Sequence, residues 1–425
     1  MDVIFFMKLY FVFVVVVMVV YAVRHAIFAY NRIFDRQRMY HNDIVDSKMP
    51  KVTVLIPMHN EEQVLTGVLD ALLECNYDRD LLEIIPINDH SSDRTAEMLD
   101  EYHSRFPCVR PLHRQSKERG KPVALNDAMK ISEGEIIIVF DADYRPGKDM
   151  IRQLALAFQD PEVGAVMGRV IPYNTSKNGL TRLLNLERSG GYQSDQQARY
   201  NLRTLPQYGG TVGGFRKSIM LETGGFDPRV LAEDTELTYR LYLSGWKVIY
   251  ANSAECYEEV PETWSVRAGQ VRRWSRGHNS VMFRYFFKFL FSKNLSRREK
   301  LDGTLLLLVY FVPVLFSLAL MDSVALFLLG EMNVFVGLWA VIFLGAYNSY
   351  GNFAPFYEIA TALMIDGVKK DALLMPLITF NFYFYLWNIT LGFIDALADA
   401  VSGRRVNWNK TKRFRKAHSG EEKKL

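Results

Sequence analysis

Apolar residues are unevenly spread along the chain, and long charge-free runs lie near both ends. Residues 4–23 are apolar apart from Lys8, and about 20 apolar residues are enough for a helix to cross a hydrocarbon core of ~30 Å. A secretory signal is the alternative, but the run is long for one, no small-residue cleavage pattern follows it, and Arg24 and Arg32 come next. The pattern predicts a retained transmembrane helix within residues 1–30, with its C-terminal end in the cytosol.

From residue 51 to about residue 135, short β-rich runs alternate with longer amphipathic stretches, and the domain that they begin is predicted to cover residues 50–260. The predicted strands cover 52–56, 83–87 and 135–140, and the predicted helices cover 61–75, 93–106 and 122–132. Strand–helix–strand repetition indicates a parallel sheet with right-handed crossovers, and therefore an α/β nucleotide-binding domain. Ligands of such sheets bind beyond the carboxyl ends of the strands, so the residues that follow each strand are the first candidates for chemistry.

Beyond Phe283 the chain becomes apolar again. Residues 261–300 are predicted to form helices at the membrane interface, and residues 301–400 to contain membrane helices at 304–329, 334–347 and 373–398. The segment 353–366 has apolar residues at helical spacing but carries Glu358 and Asp366, which indicates a helix lying in the interface.

The number of crossings stays open. One span before the α/β domain and three after it would put the basic tail, residues 401–425, outside, against the tendency of basic segments to remain in the cytosol. Either the segment 353–366 dips through the bilayer, or one apolar run contains two crossings, or the tendency fails in this protein.

The overall composition conceals these two environments. The chain has 425 residues, of which 49% are hydrophobic and 23% are charged, and its net charge is +4. A single hydrophobic core stops growing near ~250–300 residues, so the length allows one large soluble domain and further elements. Cys75, Cys108 and Cys256 are odd in number and widely scattered, which favours buried thiols in a reducing compartment over a disulfide framework.

Acidic and amide side chains follow three of the predicted strands: PMHNEE at 57–62, NDHSSD at 88–93, and the pair Asp141 and Asp143. Asp93 stands directly before a predicted helix, where a role as helix cap is the better interpretation. Asp141 and Asp143 follow a fully apolar strand, and two carboxylates at this spacing repel each other and need a cation. A hard divalent ion that also binds a diphosphate would supply it.

Two later segments add candidates. Glu233 and Asp234 stand at the start of a predicted helix, where the helix dipole by itself favours carboxylates. Gln270, Arg273 and Trp274 lie in a basic segment further on, for which a solvated basic face is the alternative. The tryptophan changes that interpretation, because its ring offers a flat platform to a sugar while the forked arginine side chain grips phosphate.

Taken in order, these segments resemble glycosyltransferase family 2, and in particular its processive membrane branch, which includes cellulose, chitin, hyaluronan and poly-N-acetylglucosamine synthases. The resemblance covers residues 52–279 and rests on PMHNEE, Asp89, KPVALN (121–126), DAD (141–143), GGTVGGF (209–215), AED (232–234) and Gln270-x-x-Arg273-Trp274. It implies a GT-A-type, Rossmann-like α/β domain in the cytosol, inserted between transmembrane and interfacial α-helices. Asn88 replaces a usual Asp, and GGTVGG lacks the cysteine of cellulose synthases, which leaves the polymer's identity open.

The resemblance also implies roles for individual residues. The nucleotide-sugar site would contain Pro57, His59, Glu61, Asp89, Lys121, Asp141, Gln270 and Arg273. Asp141 and Asp143 would bind a divalent metal, Mg²⁺ or Mn²⁺, and Asp234 would be the catalytic base. The acceptor site would contain Thr211, Val212, Gly213, Glu233 and Trp274. Trp408 and Thr411 resemble a gating segment of some members, although a basic tail held to anionic lipid headgroups is the alternative.

The expected function is inverting, processive transfer of a hexose from UDP-glucose or UDP-N-acetylglucosamine to a growing β-linked polysaccharide. The protein would cross the plasma membrane several times and keep its catalytic domain in the cytosol. Its expected partners are the UDP-sugar, the polysaccharide, the lipid bilayer and an accessory export subunit or second copy, with no nucleic acid. The polymer would leave along rings between the membrane helices, unless those rings are interfacial anchors: Trp339, Tyr347, Tyr383, Tyr385 and Trp387.

Two alternatives differ in the acceptor or in the chemistry. A non-processive transferase that acts on a lipid, such as a polyprenyl phosphate or a ceramide-like lipid, would share the same carboxylates. A nucleotide-sensing membrane protein without transferase activity would not need the complete set of carboxylates that the chain carries.

Overall fold

The computed structural model describes residues 3–39, 48–331 and 354–402. Four predictions fall outside the described residues: the membrane helix at 334–347, the rings of Trp339 and Tyr347, the basic tail beyond residue 402, and the gating residues Trp408 and Thr411.

The strands are β1 (Val52–Met58), β2 (Leu82–Asn88), β3 (Leu112–His113), β4 (Ile136–Val139), β5 (Arg145–Pro146), β6 (Val163–Pro172), β7 (Gly213–Arg216) and β8 (Lys247–Glu258). They form one sheet in the order β3-β2-β1-β4-β7-β6-β8-β5. The strands β3, β2, β1 and β4 are parallel, as predicted. The strand β7 runs antiparallel between β4 and β6, and β5 is antiparallel to β8. The strands β6 and β8 are parallel to each other. The sheet is therefore mixed, and the prediction of a parallel sheet is wrong for β5 and β7.

The reversed strand β7 fits between its neighbours because it begins with two glycines. A Cβ atom on Gly214 would lie 2.5 Å from the carbonyl oxygen of Ile137, and one on Gly213 would collide with the carbonyl oxygen of Val166. Such close approach of three strands leaves no room for side chains at these two positions. The hydrophobic pattern of a strand is the same whether it runs parallel or antiparallel to its neighbours, so the sequence pattern could not predict the reversal.

The helices are α1 (Val3–Phe34), α2 (Leu65–Leu73), α3 (Thr95–Arg105), α4 (Lys121–Ile131), α5 (Met150–Ala157), α6 (Gly179–Ser189), α7 (Gln197–Asn201), α8 (Lys217–Glu222), α9 (Glu233–Leu243), α10 (Trp264–Leu290), α11 (Arg297–Leu307), α12 (Val312–Leu328), α13 (Ala354–Ile365) and α14 (Ile378–Ser402). A π-helical turn, Gly190–Gln196, joins α6 to α7, and 3-10 turns cover Arg79–Leu81 and Lys369–Leu377. Helix α2 begins later than predicted because Asn60 has a left-handed backbone, with φ at 54°, and a turn follows it.

Apolar cores cover both faces of the sheet. Val54 lies in the core on one face and Leu55 in the core on the other, and both side chains are fully buried. Because both faces are covered, β1 and β2 are continuous apolar runs without polar alternation. The three cysteines are free thiols, as predicted, although only Cys75 and Cys256 are buried and Cys108 is partly exposed.

Among the described residues, two segments are long and apolar enough to cross a bilayer: α1, and Lys370–Ser402, which contains α14. Helices α11 and α12 meet at an angle of 60°, so the run predicted at 304–329 is not one straight helix. Pro313 in the first turn of α12 accounts for the break, because proline has no N–H group with which to continue a helix from α11. The bent pair adds a third crossing only if it counts as a single span.

Helix α13 covers most of the segment that was predicted to lie in the interface. Its buried Glu358 lies within hydrogen-bonding distance of His25 of α1, with Oε1 2.8 Å from the imidazole Nδ1. Asp366, just beyond its end, binds Arg169 at 2.8 Å and Gln193 at 2.6 Å. Both acidic side chains therefore attach α13 to other parts of the protein, and its location at the membrane interface stays a prediction.

Helices α10 and α14 pack closely, and this contact attaches the C-terminal apolar helix to the sheet domain. A Cβ atom on Gly392 of α14 would lie 2.5 Å from the carbonyl oxygen of Arg272 and 2.7 Å from the Cβ of Ser275. Next to this contact, Arg272 pairs with Asp395 and Arg276 pairs with Asp399, each at 2.6 Å. The ion pairs flank the glycine contact, so both depend on the same helix spacing.

We expect Gly392→Val to force α10 and α14 apart and to destabilise the protein by about 1–3 kcal/mol, as overpacking in tight contacts does. The control is Gly269→Ala on α10, where an added Cβ meets nothing within 4 Å and improves helix propensity. Thermal unfolding of both variants in lipid nanodiscs checks this. A melting temperature for Gly392→Val equal to that of the control would contradict the close packing.

Candidate active site

A cavity of about 1480 Å³ begins at the rim where the parallel strands end. The register sets Met58 opposite Asn88 and Leu55 opposite Val139, so residues that follow β1, β2 and β4 meet at this rim. We call this part the sheet end of the cavity. The other part, the membrane end, is lined by residues of α1, α6, α10 and α14, among them Tyr21, Glu187, Arg188, Arg267 and Tyr385.

Pro57, His59, Glu61 and Asp89 all line the sheet end, so the structure brings this predicted group together. The imidazole of His59 donates from Nδ1 to the backbone carbonyl of Asp89 at 2.7 Å. The carboxylate of Asp89 accepts from Arg114 Nη1 at 2.5 Å and from the backbone N–H of Gly120 at 2.9 Å. Asp89 therefore holds the loop before α4 in place.

Arg114 is a residue that the sequence analysis missed. Its side chain is buried, and besides Asp89 it binds Asp127 at 3.0 Å and the backbone carbonyl of Glu118 at 3.0 Å. The arginine stands in a charge-rich loop, HRQSKERGK, where nothing in the pattern distinguishes it from its exposed neighbours. Its importance follows from tertiary contacts alone.

Lys121 connects the sheet end to two other segments. Its ammonium donates to Asp141 Oδ1 and to the carbonyl oxygen of Gly210, both at 2.9 Å, and lies 3.5 Å from Glu233 Oε1. Burial alone would lower the pKa of Lys121, but the carboxylates of Asp141 and Glu233 raise it above its ordinary value. The lysine is therefore a permanent cation in this site.

Asp141 and Asp143 follow β4 and line the cavity, as the spacing predicted. The backbone N–H of Asp141 donates to the hydroxyl of Thr211 at 3.0 Å, which fixes the chain at this point. Hard carboxylate oxygens at the rim of a cavity suit Mg²⁺ or Mn²⁺. Within the parts of the chain that the structure describes, no group of three or more acidic, histidine or cysteine side chains forms a complete metal site. Further ligands would have to come from a bound molecule or from water.

Asp234 is buried in the first turn of α9, where its Oδ1 accepts from the backbone N–H of Thr235 at 2.7 Å. Burial and the negative charge of Glu233 raise the pKa of Asp234 to about 6. Gly210 makes room for it: a Cβ atom there would lie 3.1 Å from the Cβ of Asp234, and the glycine has a left-handed backbone with φ at 74°. A carboxylate with such a pKa can accept and release a proton near neutral pH.

Gln270, Arg273 and Trp274 lie on one face of α10 and line the same cavity as Asp234. Gln270 accepts a hydrogen bond from Arg267 at 2.7 Å. The guanidinium carbons of Arg188 and Arg267 lie 5.4 and 5.0 Å from the centre of the Trp274 ring, within the range of cation–π contact. The half-buried ring is thus held between charged side chains and faces the cavity.

The structure brings together only part of two predicted groups, the acceptor residues at 211–213 and the aromatic rings of the C-terminal apolar helix. Thr211 lines the cavity, but Val212 and Gly213 lie behind its wall, because the chain enters β7 at this point and both residues are fully buried. On α14, Tyr385 lines the cavity, whereas Tyr383 and Trp387 are exposed on the opposite face of the helix. Helical periodicity separates them, since positions 383 and 387 share a face that 385 does not.

Residues 53–221 match the family model described as Glycosyl transferase family 2. The probable glycosyltransferase YdaM of Bacillus subtilis (strain 168) is 31% identical over 388 residues, which cover 88% of this chain and 89% of that protein. Beta-monoglucosyldiacylglycerol synthase of Nostoc sp. (strain PCC 7120) is 28% identical over 281 residues, 66% of this chain and 59% of that protein.

Among solved structures, the mannosyltransferase PcManGT from Pyrobaculum calidifontis, in complex with GDP-Man and Mn²⁺, is similar with a TM-score of 0.59. The match covers 86% of this chain and 99% of that one, at 19% sequence identity. At this level of identity the likeness concerns the fold, which is a GT-A-like α/β fold with a mixed sheet.

We expect Arg114→Met to remove the guanidinium from the buried Asp89 carboxylate, which then keeps only His90 and the N–H of Gly120 as partners, and to loosen the loop that precedes α4. The cost is ~3–5 kcal/mol for a broken buried pair. Hydrogen exchange followed by mass spectrometry should show faster exchange in peptides covering residues 114–120. Arg94→Met is the matched control, since the Arg94 side chain is 69% exposed. Equal exchange in both variants would mean that Arg114 does not hold this loop.

Proposed function

The chain belongs to glycosyl transferase family 2, and from this premise we propose that it transfers a hexose from a UDP-sugar to a growing β-linked polysaccharide. The observation that carries the proposal is the single cavity that joins the carboxylates at the sheet end to Asp234 and Trp274 and continues between α1, α10 and α14. A donor at one end and a long acceptor at the other would meet at Asp234. UDP-glucose and UDP-N-acetylglucosamine are the proposed donors.

The donor would occupy the sheet end. Its uridine would lie against Pro57, His59 and Glu61, near the loop that Asp89 holds, and its diphosphate near Lys121 and Arg273. Gln270 lies one helical turn before Arg273 on the same face and would contact the same diphosphate. Asp141 and Asp143 have the ligand chemistry to hold Mg²⁺ or Mn²⁺, which when bound supplies positive charge to the leaving diphosphate.

The proposed base is Asp234. It would remove the proton from the acceptor hydroxyl as that oxygen attacks the anomeric carbon from the side opposite the diphosphate, which inverts an α-linked donor to a β-linkage. General-base catalysis of this kind contributes typically ~10²–10⁴-fold. Glu233, beside it, raises the pKa of Asp234 and would accept a hydrogen bond from the acceptor sugar.

The acceptor would run through the membrane end. Trp274 offers an aromatic face there, and Thr211, which lines the same cavity next to Asp141, would contact the acceptor from the sheet end. The proposed path continues between α1 and α14, both apolar enough to cross a bilayer, which would put the sheet domain on the cytosolic side of the plasma membrane. Tyr385 is the ring of α14 that lines this path.

A second candidate function is the addition of one sugar to a lipid. The observation that favours it is the apolar lining where the cavity meets α12 and α14, which includes Val309, Pro313, Leu386 and Ile389. Acyl chains would fit such a lining as well as a sugar chain fits the aromatic part. The relative from Nostoc is named for a lipid product, which points in the same direction.

We expect Asp234→Asn to abolish transfer while UDP affinity stays within about threefold, because the amide keeps the shape of the side chain but cannot accept the proton. In the wild type, kcat/KM should rise with pH around a pKa of about 6, since protonated Asp234 is inactive. Glu233→Gln should move this rise to lower pH, because it removes a negative charge that raises the pKa of Asp234. Loss of UDP binding together with turnover in Asp234→Asn would mean that Asp234 is structural or binds the nucleotide.

We expect Trp274→Ala to lose polymer elongation yet retain UDP binding, and Trp274→Phe to recover part of the activity, because a ring face is what a sugar needs. The measurement uses protein in proteoliposomes with Mg²⁺ or Mn²⁺ and radiolabelled UDP-glucose or UDP-N-acetylglucosamine. Products are sized, digested with linkage-specific hydrolases, and normalised to the UDP-binding fraction of each variant.

Two results would contradict the polymer proposal in different ways. One sugar per lipid in the wild type would favour the second candidate function. Equal elongation by the wild type, Trp274→Phe and Trp274→Ala would remove Trp274 from the acceptor site.

A further inference from the structure

We propose that the membrane end of the cavity is a subsite for an uncharged sugar and excludes anionic acceptors. The proposal rests on the proposed function, because it names the class of acceptor that Asp234 would activate. It follows from the way in which the cationic side chains at this end are already neutralised by protein carboxylates.

Arg267 lies closer to the Trp274 ring than Arg188 does, and each of its three guanidinium nitrogens donates a hydrogen bond to the protein. Nη2 donates to Glu187 Oε2 at 2.7 Å, Nε donates to the Tyr385 hydroxyl at 3.0 Å, and Nη1 donates to Gln270 at 2.7 Å. The side chain is also buried, with 7% of its surface exposed. An incoming anion would therefore have to displace a protein group to reach this cation.

The carboxylate of Glu187 is equally well held. Its Oε1 accepts from the Tyr385 hydroxyl at 2.5 Å and from Asn381 at 2.9 Å, while Oε2 takes the guanidinium of Arg267. These contacts join α6, α10 and α14 around one neutral pair. The pair is a built part of the wall rather than a flexible surface contact.

Arg188, the second cation beside Trp274, is neutralised in the same way. Its Nε donates to Glu258 Oε1 at 2.5 Å and its Nη2 donates to Oε2 at 3.2 Å, so the carboxylate is gripped by both nitrogens. The Tyr144 hydroxyl donates to the same carboxylate at 2.7 Å. Glu258 thus leaves Arg188 little capacity for an external anion.

A third group of charges, deeper in the membrane end, is balanced as well. Arg24 binds Asp302 at 2.9 Å and Asp195 at 3.0 Å, and Arg199 binds the same two carboxylates at 3.3 and 2.9 Å. Two guanidiniums and two carboxylates thus neutralise one another, and Asp195 and Arg199 are the two of them that line the cavity. An acceptor that carried its own charge would meet no uncompensated cation in these three groups.

The physical consequence is selectivity by desolvation. An anion that leaves water for this site loses its hydration and gains no free cation from Arg24, Arg188, Arg199 or Arg267 in return. Arg273, which also lines the cavity, is assigned above to the diphosphate of the donor. The anion also approaches the carboxylates of Asp141, Asp143, Glu233 and Asp234 at the other end. A neutral sugar has no charge to desolvate. Its ring can stack on Trp274, and its hydroxyls can form hydrogen bonds with the polar groups of the wall. An acceptor phosphate or uronate is therefore disfavoured, and an uncharged pyranose is favoured.

The test compares two probes that differ by one carboxylate: 4-nitrophenyl β-D-glucoside and 4-nitrophenyl β-D-glucuronide. Their affinities are measured by saturation-transfer NMR with the full-length protein in nanodiscs of neutral lipid, in the presence of UDP and Mg²⁺. We expect the glucoside to bind at least about tenfold more tightly than the glucuronide, because the carboxylate of the glucuronide would be buried without a cation and close to other carboxylates. Equal or tighter binding of the glucuronide, or no binding of either probe while UDP binds, overturns the proposal.

A variant of Glu187 tests whether the neutralisation of Arg267 causes the preference for the glucoside. Glu187→Gln removes the negative charge that neutralises Arg267, so the preference for the glucoside should shrink to less than about threefold. Glu162→Gln, an exposed carboxylate paired with Lys247 on the sheet, is the control and should keep the wild-type preference. An unchanged preference in folded, UDP-binding Glu187→Gln would overturn this cause.

The experiments distinguish a failure of the proposed function from a failure of the proposed uncharged subsite. Absence of sugar transfer from either UDP-sugar, with UDP and the glucoside still bound, would count against the proposed function alone. Active transfer combined with preferred binding of the glucuronide would count against the uncharged subsite alone.

Discussion

The ammonium group of Lys121 joins segments that lie far apart in the chain, and the sheet end of the cavity depends on it. It contacts Asp141 after β4, the carbonyl oxygen of Gly210 before β7, and the neighbourhood of Glu233 at the start of α9. Several carboxylates gathered in one buried place would repel each other, and a permanent cation among them offsets part of that repulsion. The same excess of negative charge is what makes this end suitable for a divalent cation and a diphosphate.

Asp234 illustrates how competing electrostatic effects are decided in this site. A helix N-terminus stabilises a carboxylate by about 0.3–1 kcal/mol and would lower its pKa. The pKa of Asp234 is nevertheless raised from 3.8 to about 6, which corresponds to roughly 3 kcal/mol in the opposite direction. Burial and the neighbouring Glu233 therefore outweigh the helix dipole, and the placement of Asp234 at a helix start does not by itself explain its state.

The contact between α1 and the rest of the protein is apolar in one part and polar in another. Val14 and Met18 lie in a buried apolar cluster with residues of α12 and α14, whereas the arginines further along α1 make polar contacts. Arg24 and Arg32 were predicted to mark the cytosolic end of a membrane helix, and the structure shows both side chains buried. Arg24 pairs with Asp195 and Asp302, and Arg32 donates to the carbonyl oxygen and side chain of Gln193 in the π-helical turn. The basic residues thus attach α1 to the wall of the cavity, which makes this helix part of the site as well as a candidate membrane anchor.

The amino-acid sequence by itself determined three of the strands, several of the helices and the order of the motifs. Continuous apolar runs predicted β1, β2 and β4, because strands covered on both faces need no polar alternation, and the polar residues directly after them were predicted to meet at one rim. The start of α9 at Glu233 and the position of Asp93 before α3 followed from local rules. The N-cap position of α3 is Arg94, one residue later than predicted. Asp93 nevertheless accepts from the backbone N–H of Thr95 at 3.0 Å, in the first turn of the helix.

Only the tertiary structure decided which of these residues face one another. Arg114, Arg188 and Arg267 are important because of the carboxylates they meet, and a charged residue in a loop or helix carries no sign of its partner in the local pattern. The reversal of β7 and the removal of Val212 and Gly213 from the cavity wall depend on contacts between strands far apart in the chain. Hydrophobic periodicity reports how each segment is buried, whereas pairing, strand direction and charge balance are properties of the assembled fold.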